Sequence, residues 1–172
     1  MCFGMPPLAE LVQSFKLSSY RANLFEQIFR AELLQGCWLA GLPPVEIDRP
    51  FVDFQGYDLV ATCRQFTRHI QLKATRGRVT VHRAMAQKPS ACVVNLEVEH
   101  DDPRITFRYR YFGGAPGEAM SIEGFAAARK AINTRDAAGE FRKAEREQHV
   151  VIPAARFSRP MTIEELAHAL FG

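Results

Sequence analysis

Two short runs with a period of two constrain this chain most. Residues 57–63 read Tyr-Asp-Leu-Val-Ala-Thr-Cys, and residues 66–74 read Phe-Thr-Arg-His-Ile-Gln-Leu-Lys-Ala. Only Arg64-Gln65 separates them, so the spacing predicts a β-hairpin. A turn at that dipeptide sets Asp58 opposite Gln71. Strand side chains alternate, so Tyr57, Leu59, Ala61, Cys63, Phe66, Ile70 and Leu72 form an apolar face. Asp58, Thr62, Thr67, His69, Gln71 and Lys73 form the opposite, polar face. A slip of one residue would exchange the two faces.

The remaining pattern surrounds this hairpin with both helices and strands. A helix is expected over Tyr20–Gly36, with a stripe of Leu24, Ile28, Ala31, Leu34 and Gln35 widened by Phe25, Phe29 and Leu33. Ser18 or Ser19 caps its start, Gly36 or Gly41 ends it, and Trp38 packs at its end. Val45-Glu46-Ile47 is a short apolar run. A helix is expected over 80–88, stopped by Pro89, then strands over 91–98 and 104–112, with a turn at Asp101-Asp102-Pro103. Residues 122–147 are rich in Ala and charge and read as an interrupted helix. His149–Ile152 reads as a strand, and Thr162-Ile-Glu-Glu165 as a capping box opening a last helix. Residues 1–19, with Pro6-Pro7, read as an N-terminal arm, and residues 20–172 as one domain. A length of 172 residues suits a single domain with a real core. The expected fold class is α/β: a central mixed β-sheet flanked by helices.

Composition narrows the function classes. With 47% hydrophobic and 24% charged residues, bulk disorder, a collagen-like repeat and a membrane bundle are excluded. Cys2, Cys37, Cys63 and Cys92 form no CxxC pair, and the five histidines show no HxxxH or HExxH spacing, so no zinc site is expected. No apolar run approaches the roughly 18–20 residues of a membrane span. Pro6, Pro7, Glu10 and Lys16 interrupt any signal-peptide pattern. The expected location is the cytoplasm, with reduced thiols.

Charge is distributed unevenly. The net charge is only +3, yet residues 59–96 carry seven basic side chains and no acidic one. These are Arg64, Arg68, Lys73, Arg76, Arg78, Arg83 and Lys88, flanked by segments of net −3 and −1. Such local charge attracts polyanions; the alternative is a solvated basic face. An acid, an amide and a lysine on one sheet face suit phosphodiester hydrolysis. Asp58 and the Gln71 oxygen, with the Leu72 carbonyl, offer hard ligands for Mg²⁺ or Mn²⁺. Lys73 is placed to orient water and stabilise developing negative charge. Against this stand ordinary roles: Asp58 capping the loop behind Gly56, Lys73 as an exposed strand lysine, and His69 as a structural histidine.

The residues GYDLVA at 56–61 and RHIQLKA at 68–74 resemble the PD-(D/E)xK nuclease superfamily. Tyr57 stands where the motif name has Pro, and Gln71 replaces the acid. The QxK version is similar to that of the modified-DNA restriction branch. The helix LFEQIFRAELLQG at 24–36 resembles the one preceding the site in that branch and in Holliday-junction resolvases. The resemblance covers about residues 20–100 and implies a restriction-endonuclease-like core. It implies a Mg²⁺ (or Mn²⁺) dependent endonuclease with DNA as partner, in restriction, defence or repair, and a homodimer for cutting two strands. It makes Glu26, with Glu32 second, an assisting metal ligand; the alternative is a solvated Glu26 paired with Arg30. Asp53 is a further ligand candidate, or a residue shaping the loop. Arg76, Arg78, Arg83 and Lys88 are expected to contact phosphates. Arg108 and Arg110, among Phe107, Tyr109, Tyr111 and Phe112, read either as a base-stacking strand or as an ordinary half-solvated one. The rival to catalysis, motivated by Gln71, is an inactive nucleic-acid-binding or protein-interaction module on the same fold.

Overall fold

The hairpin forms in the expected register. Strand β2 (Leu59–Cys63) pairs antiparallel with β3 (Phe66–Lys73), with Leu59 opposite Ile70 and Cys63 opposite Phe66. Arg64 takes a positive φ of 53° to make the two-residue turn. This computed structural model describes residues 17–50, 56–101, 104–129, 134–135, 141–142 and 145–172. The arm up to residue 16, Asp53 and the Asp102-Pro103 part of the expected turn lie outside them.

The hairpin is the centre of a five-stranded mixed sheet in the order β1-β2-β3-β5-β6. Here β1 is Val45–Asp48, β5 is Ala91–Asp101 and β6 is Arg104–Gly113. Only β3 and β5 run parallel. Between them the chain forms β4 (Val79–His82) and the one-turn helix α2 (Arg83–Ala86), where a longer helix was expected. The β-branched Val79, Thr80 and Val81 favour extended backbone, and the His82 ring accepts a hydrogen bond from Ala84 N–H to cap α2.

Helix α1 (Ser18–Leu39) and helix α3 (Ile163–Phe171) cover one face of the sheet. The buried stripe of α1 is Phe25, Phe29, Leu33, Gly36 and Cys37, rotated from the expected one. Leu34 and Trp38 are exposed, so Trp38 is not packing at the helix end. Neither Ser18 nor Ser19 caps α1: Leu17 holds the N-cap position without a side-chain bond. The C-terminus closes as a Schellman motif: Gly41, at φ 68°, donates to the Trp38 carbonyl, and Leu42 N–H donates to that of Cys37. At the contact with α3, a Cβ on Gly36 would sit 2.8 Å from Ile163 Cγ1, so this crossing needs glycine. The Thr162–Glu165 capping box forms as expected.

A smaller sheet covers the other face. It consists of β4, β10 (Glu145–Ile152) and β7 (Ala127–Arg129), in the order β4-β10-β7. Val79, Val81, Val150 and Ile152 pack on Ala91, Val93 and Phe112 of the main sheet. Strand β5 is therefore buried on both sides, matching its unbroken apolar run. The interrupted helix expected over 122–147 is not found in its described parts. Those are the turn and loop of 122–126, β7, β8 (Thr134–Arg135), β9 (Phe141–Arg142) and the start of β10. Pairing of β7 with β10 buries Ala128 and overrides the helical preference of the alanines. The α/β class with a mixed sheet holds. No helix among the described residues is long and apolar enough to cross a membrane.

Candidate functional site

The β2–β3 pair opens at Asp58. Asp58 N–H still donates to the Ile70 carbonyl at 2.9 Å. One step further along, the Asp58 carboxylate takes the place of a ladder acceptor, with Oδ2 receiving Leu72 N–H at 2.7 Å. Gly56 makes the approach to this fork possible. Its φ is +79°, and a Cβ there would meet His82 Cβ at 3.0 Å. Beyond Lys73, Asn95 holds the chain by exchanging bonds with both backbone groups of Thr75.

Asp58, Lys73 and Glu26 line one cleft of about 470 Å³, together with Asn23 and Arg49. Helix α1 delivers Glu26, which is 8% exposed. Glu26 Oε1 has no hydrogen-bond partner, and Arg49 Nε stands 3.6 Å from it. The pairing of Glu26 with Arg30 is not formed, because Arg30 donates to the Ile47 carbonyl. Glu32 points elsewhere and accepts a hydrogen bond from the Tyr109 hydroxyl, which burial keeps protonated far above neutral pH.

Gln71 is also 8% exposed, and its Oε1 has no hydrogen-bond partner. It lines a neighbouring depression of about 350 Å³ with Gly56, Lys73, Thr80, His82, Arg146 and His149. Lys73 lines both. The alternation predicts Asp58, Gln71 and Lys73 on one face; Lys73 lines both clefts, but Gln71 lies in the depression and Asp58 in the cleft with Glu26, and Thr80, His82, Arg146 and His149 are not among the sequence candidates. Reading Val79-Thr-Val-His82 as an alternating strand was the signal for the first two.

His149 accepts from Arg146 Nη2 at 2.8 Å and meets His82 edge-to-face at 5.0 Å. Partial burial, then the charges of Arg146, His82 and Lys73, hold its pKa below the usual 6.5. His69 packs edge-to-face on Tyr57, itself on the second-sheet side and not the expected apolar face. Its pKa is likewise lowered, by burial and then by Lys88, against a backbone hydrogen bond at Pro89. His69 Nδ1 is buried without a hydrogen-bond partner.

The remaining basic candidates separate. Arg76 and Arg78 are exposed and line a third cleft of about 730 Å³, shared with Glu97, Glu99 and Arg110. Arg83 donates to the Glu147 carbonyl at 2.8 Å. Lys88 Nζ lies 5.0 Å from the Tyr57 ring centre. Arg68 is not on the surface at all. It is fully buried, its guanidinium donating to the carbonyls of Ala169, Leu170, Gly114 and Ala115. Phe107, Tyr109 and Phe112 are buried too, so β6 has no base-stacking face there.

Among the described residues, no three or more His, Cys, Asp or Glu side chains group as a metal site. The carboxylates of Asp58 and Glu26 line one cleft and offer hard oxygens there, Glu26 Oε1 with Arg49 at 3.6 Å, while the Gln71 Oε1, without a hydrogen-bond partner, lies in the neighbouring depression. No protein-family model, curated protein or solved structure matches the chain.

Proposed function

We propose that this protein is a metal-dependent nuclease that hydrolyses DNA phosphodiester bonds in the cytoplasm, in restriction, defence or repair. One observation carries the reading: Glu26 and Asp58 meet Lys73 in a single cleft at the fork between β2 and β3. The Gln71 Oε1, buried without a hydrogen-bond partner, adds support, since buried acceptors normally have partners. Asp58, Glu26 and Gln71 would hold Mg²⁺ or Mn²⁺, which when bound supplies Lewis-acid polarisation of the phosphoryl oxygens. Asp58 is held in place by Leu72 N–H. The Lys73 ammonium orients the attacking water and stabilises charge developing on the phosphate. Arg49 neutralises Glu26 and must swing aside when Glu26 takes a cation; it is 58% exposed in its side chain and has room to do so. Arg76 and Arg78 lie within the same reading as phosphate contacts. A homodimer serves two-strand cutting.

Nicking of supercoiled plasmid with Mg²⁺ or Mn²⁺ tests this. The wild type should nick, and the double variant Asp58→Ala, Lys73→Ala should not. Equal cleavage by both sinks the proposal. A second reading, a binding module without catalysis, is favoured by the amide at Gln71 and the Arg49–Glu26 pair. It predicts salt-dependent DNA binding with no metal-dependent cleavage. Absence of binding at low salt removes both.

A further inference from the structure

The depression on the far side of Lys73 has a composition that the metal cleft lacks. Its described lining holds Lys73, Arg146, His82 and His149, with the Thr80 hydroxyl, and no carboxylate. Arg146 and His149 are three residues apart, a spacing that places side chains on opposite faces of a regular strand. Here the register of β10 shifts between Arg146 and Val150. The irregularity brings both side chains together, with Arg146 Nη2 on His149 Nε2. One lysine and one arginine cation with uncharged donors suit a dianion, the charge a phosphomonoester carries near neutral pH.

Gln71 joins the two sites. Its Oε1 is unpartnered. Its Nε2 lies on the Gly56 side, 3.9 Å from where a Cβ on that glycine would stand. The amide presents an acceptor and a donor at once, which a carboxylate cannot do. A carboxylate at this position would also repel an anion in the depression.

We propose that this depression is a phosphomonoester-binding site that seats the terminal phosphate of a nucleic-acid strand beside Lys73. Arg146 supplies the main charge contact, and Gln71 stands in place of an acid because its amide tolerates the anion. The role at a strand end rests on the nuclease reading; the affinity for phosphate does not.

Calorimetric titration of the metal-free full chain with inorganic phosphate tests the site. Two oligonucleotides, identical but for a 5′ or 3′ terminal phosphate against a hydroxyl end, test its source. Wild type should bind phosphate. Arg146→Ala, at an exposed position, and Gln71→Glu should each weaken that binding about tenfold or more. The phosphate-ended oligonucleotide should bind tighter than its hydroxyl-ended twin. Phosphate affinity unchanged in both variants overturns the site. Phosphate binding with no difference between the oligonucleotides assigns the site to a free phosphate and overturns the strand-end role. These readouts need no cleavage, so an inactive protein that binds phosphate through Arg146 refutes the nuclease and keeps the site.

Discussion

The two faces of β3 carry the same residue types to opposite ends. On one face Arg68, Ile70 and Leu72 enter the core under α1 and α3. On the other, His69, Gln71 and Lys73 meet the second sheet and the depression beside it. Arg68 and Lys73 are both cations on one strand, yet one is sealed and the other lines two clefts. Formal charge in a segment therefore does not measure a binding surface. Arg68 belongs to the frame: its guanidinium meets carbonyls at the α3 C-terminus, which the helix itself leaves unpaired and where its dipole is negative.

The largest expected effect breaks the core face. Arg68→Ala leaves the buried Leu170 carbonyl without its donor and opens a cavity, while the Gly114 carbonyl keeps the Tyr111 hydroxyl. It should cost about 3–5 kcal/mol, the sum of charge-assisted hydrogen bonds lost and the cavity left behind. Urea denaturation measures this; a loss under about 1 kcal/mol contradicts the structural role assigned here. Lys73→Ala is its counterpart on the other face. Nicking should fall by about 100-fold or more, while stability changes by less than about 1 kcal/mol. A variant that loses stability and activity in step would erase the distinction between the faces.

Legibility in the sequence follows the same division. The hairpin register was readable because a two-residue turn and strict alternation leave one solution, and Asp58, Gln71 and Lys73 came with it. The alternation that assigned Ile70 and Leu72 to the core assigns Arg68 there too; its charge concealed what its position stated. The depression was hidden because it is made by the pairing of His82 with His149 across two distant strands. No local pattern announces such a contact, and the alanines before β10 argued for a helix instead. The buried stripe of α1 was misplaced because Leu24, Leu34 and Trp38 are apolar on a broad front, and only packing against α3 selects Gly36 and Cys37.

A smaller effect is expected where the faces join. Gly56→Ala puts a side chain at φ +79° and a Cβ 3.0 Å from His82 Cβ. Left-handed backbone alone costs an L-residue about 1–2 kcal/mol. Relief of the strain moves the loop that feeds Asp58 into the fork, so nicking should fall more than stability. Cleavage at the wild-type rate would show that Asp58 is placed by its Leu72 hydrogen bond without help from the glycine.

The smallest effect concerns the site face alone and runs through pH. His69 and His149 both have pKa values lowered in the folded protein, His69 by burial and then Lys88, His149 by burial and then Arg146, His82 and Lys73. Between those lowered values and the ordinary 6.5, the unfolded chain binds protons that the folded chain refuses. Stability therefore rises with pH across this interval and is lost as pH falls below about 6.5. Above it both states are neutral at these rings, and neither contributes a slope. Thermal denaturation from pH 7.5 down to 5.5, at constant ionic strength, should show the fall, and His69→Gln should reduce it. On the sealed face, Cys92, raised by burial to about 12, and Cys37, raised to about 11, stay protonated throughout. An acid-induced loss unchanged in both His69→Gln and His149→Gln would move its origin off β3 and its neighbours, to carboxylates elsewhere in the chain.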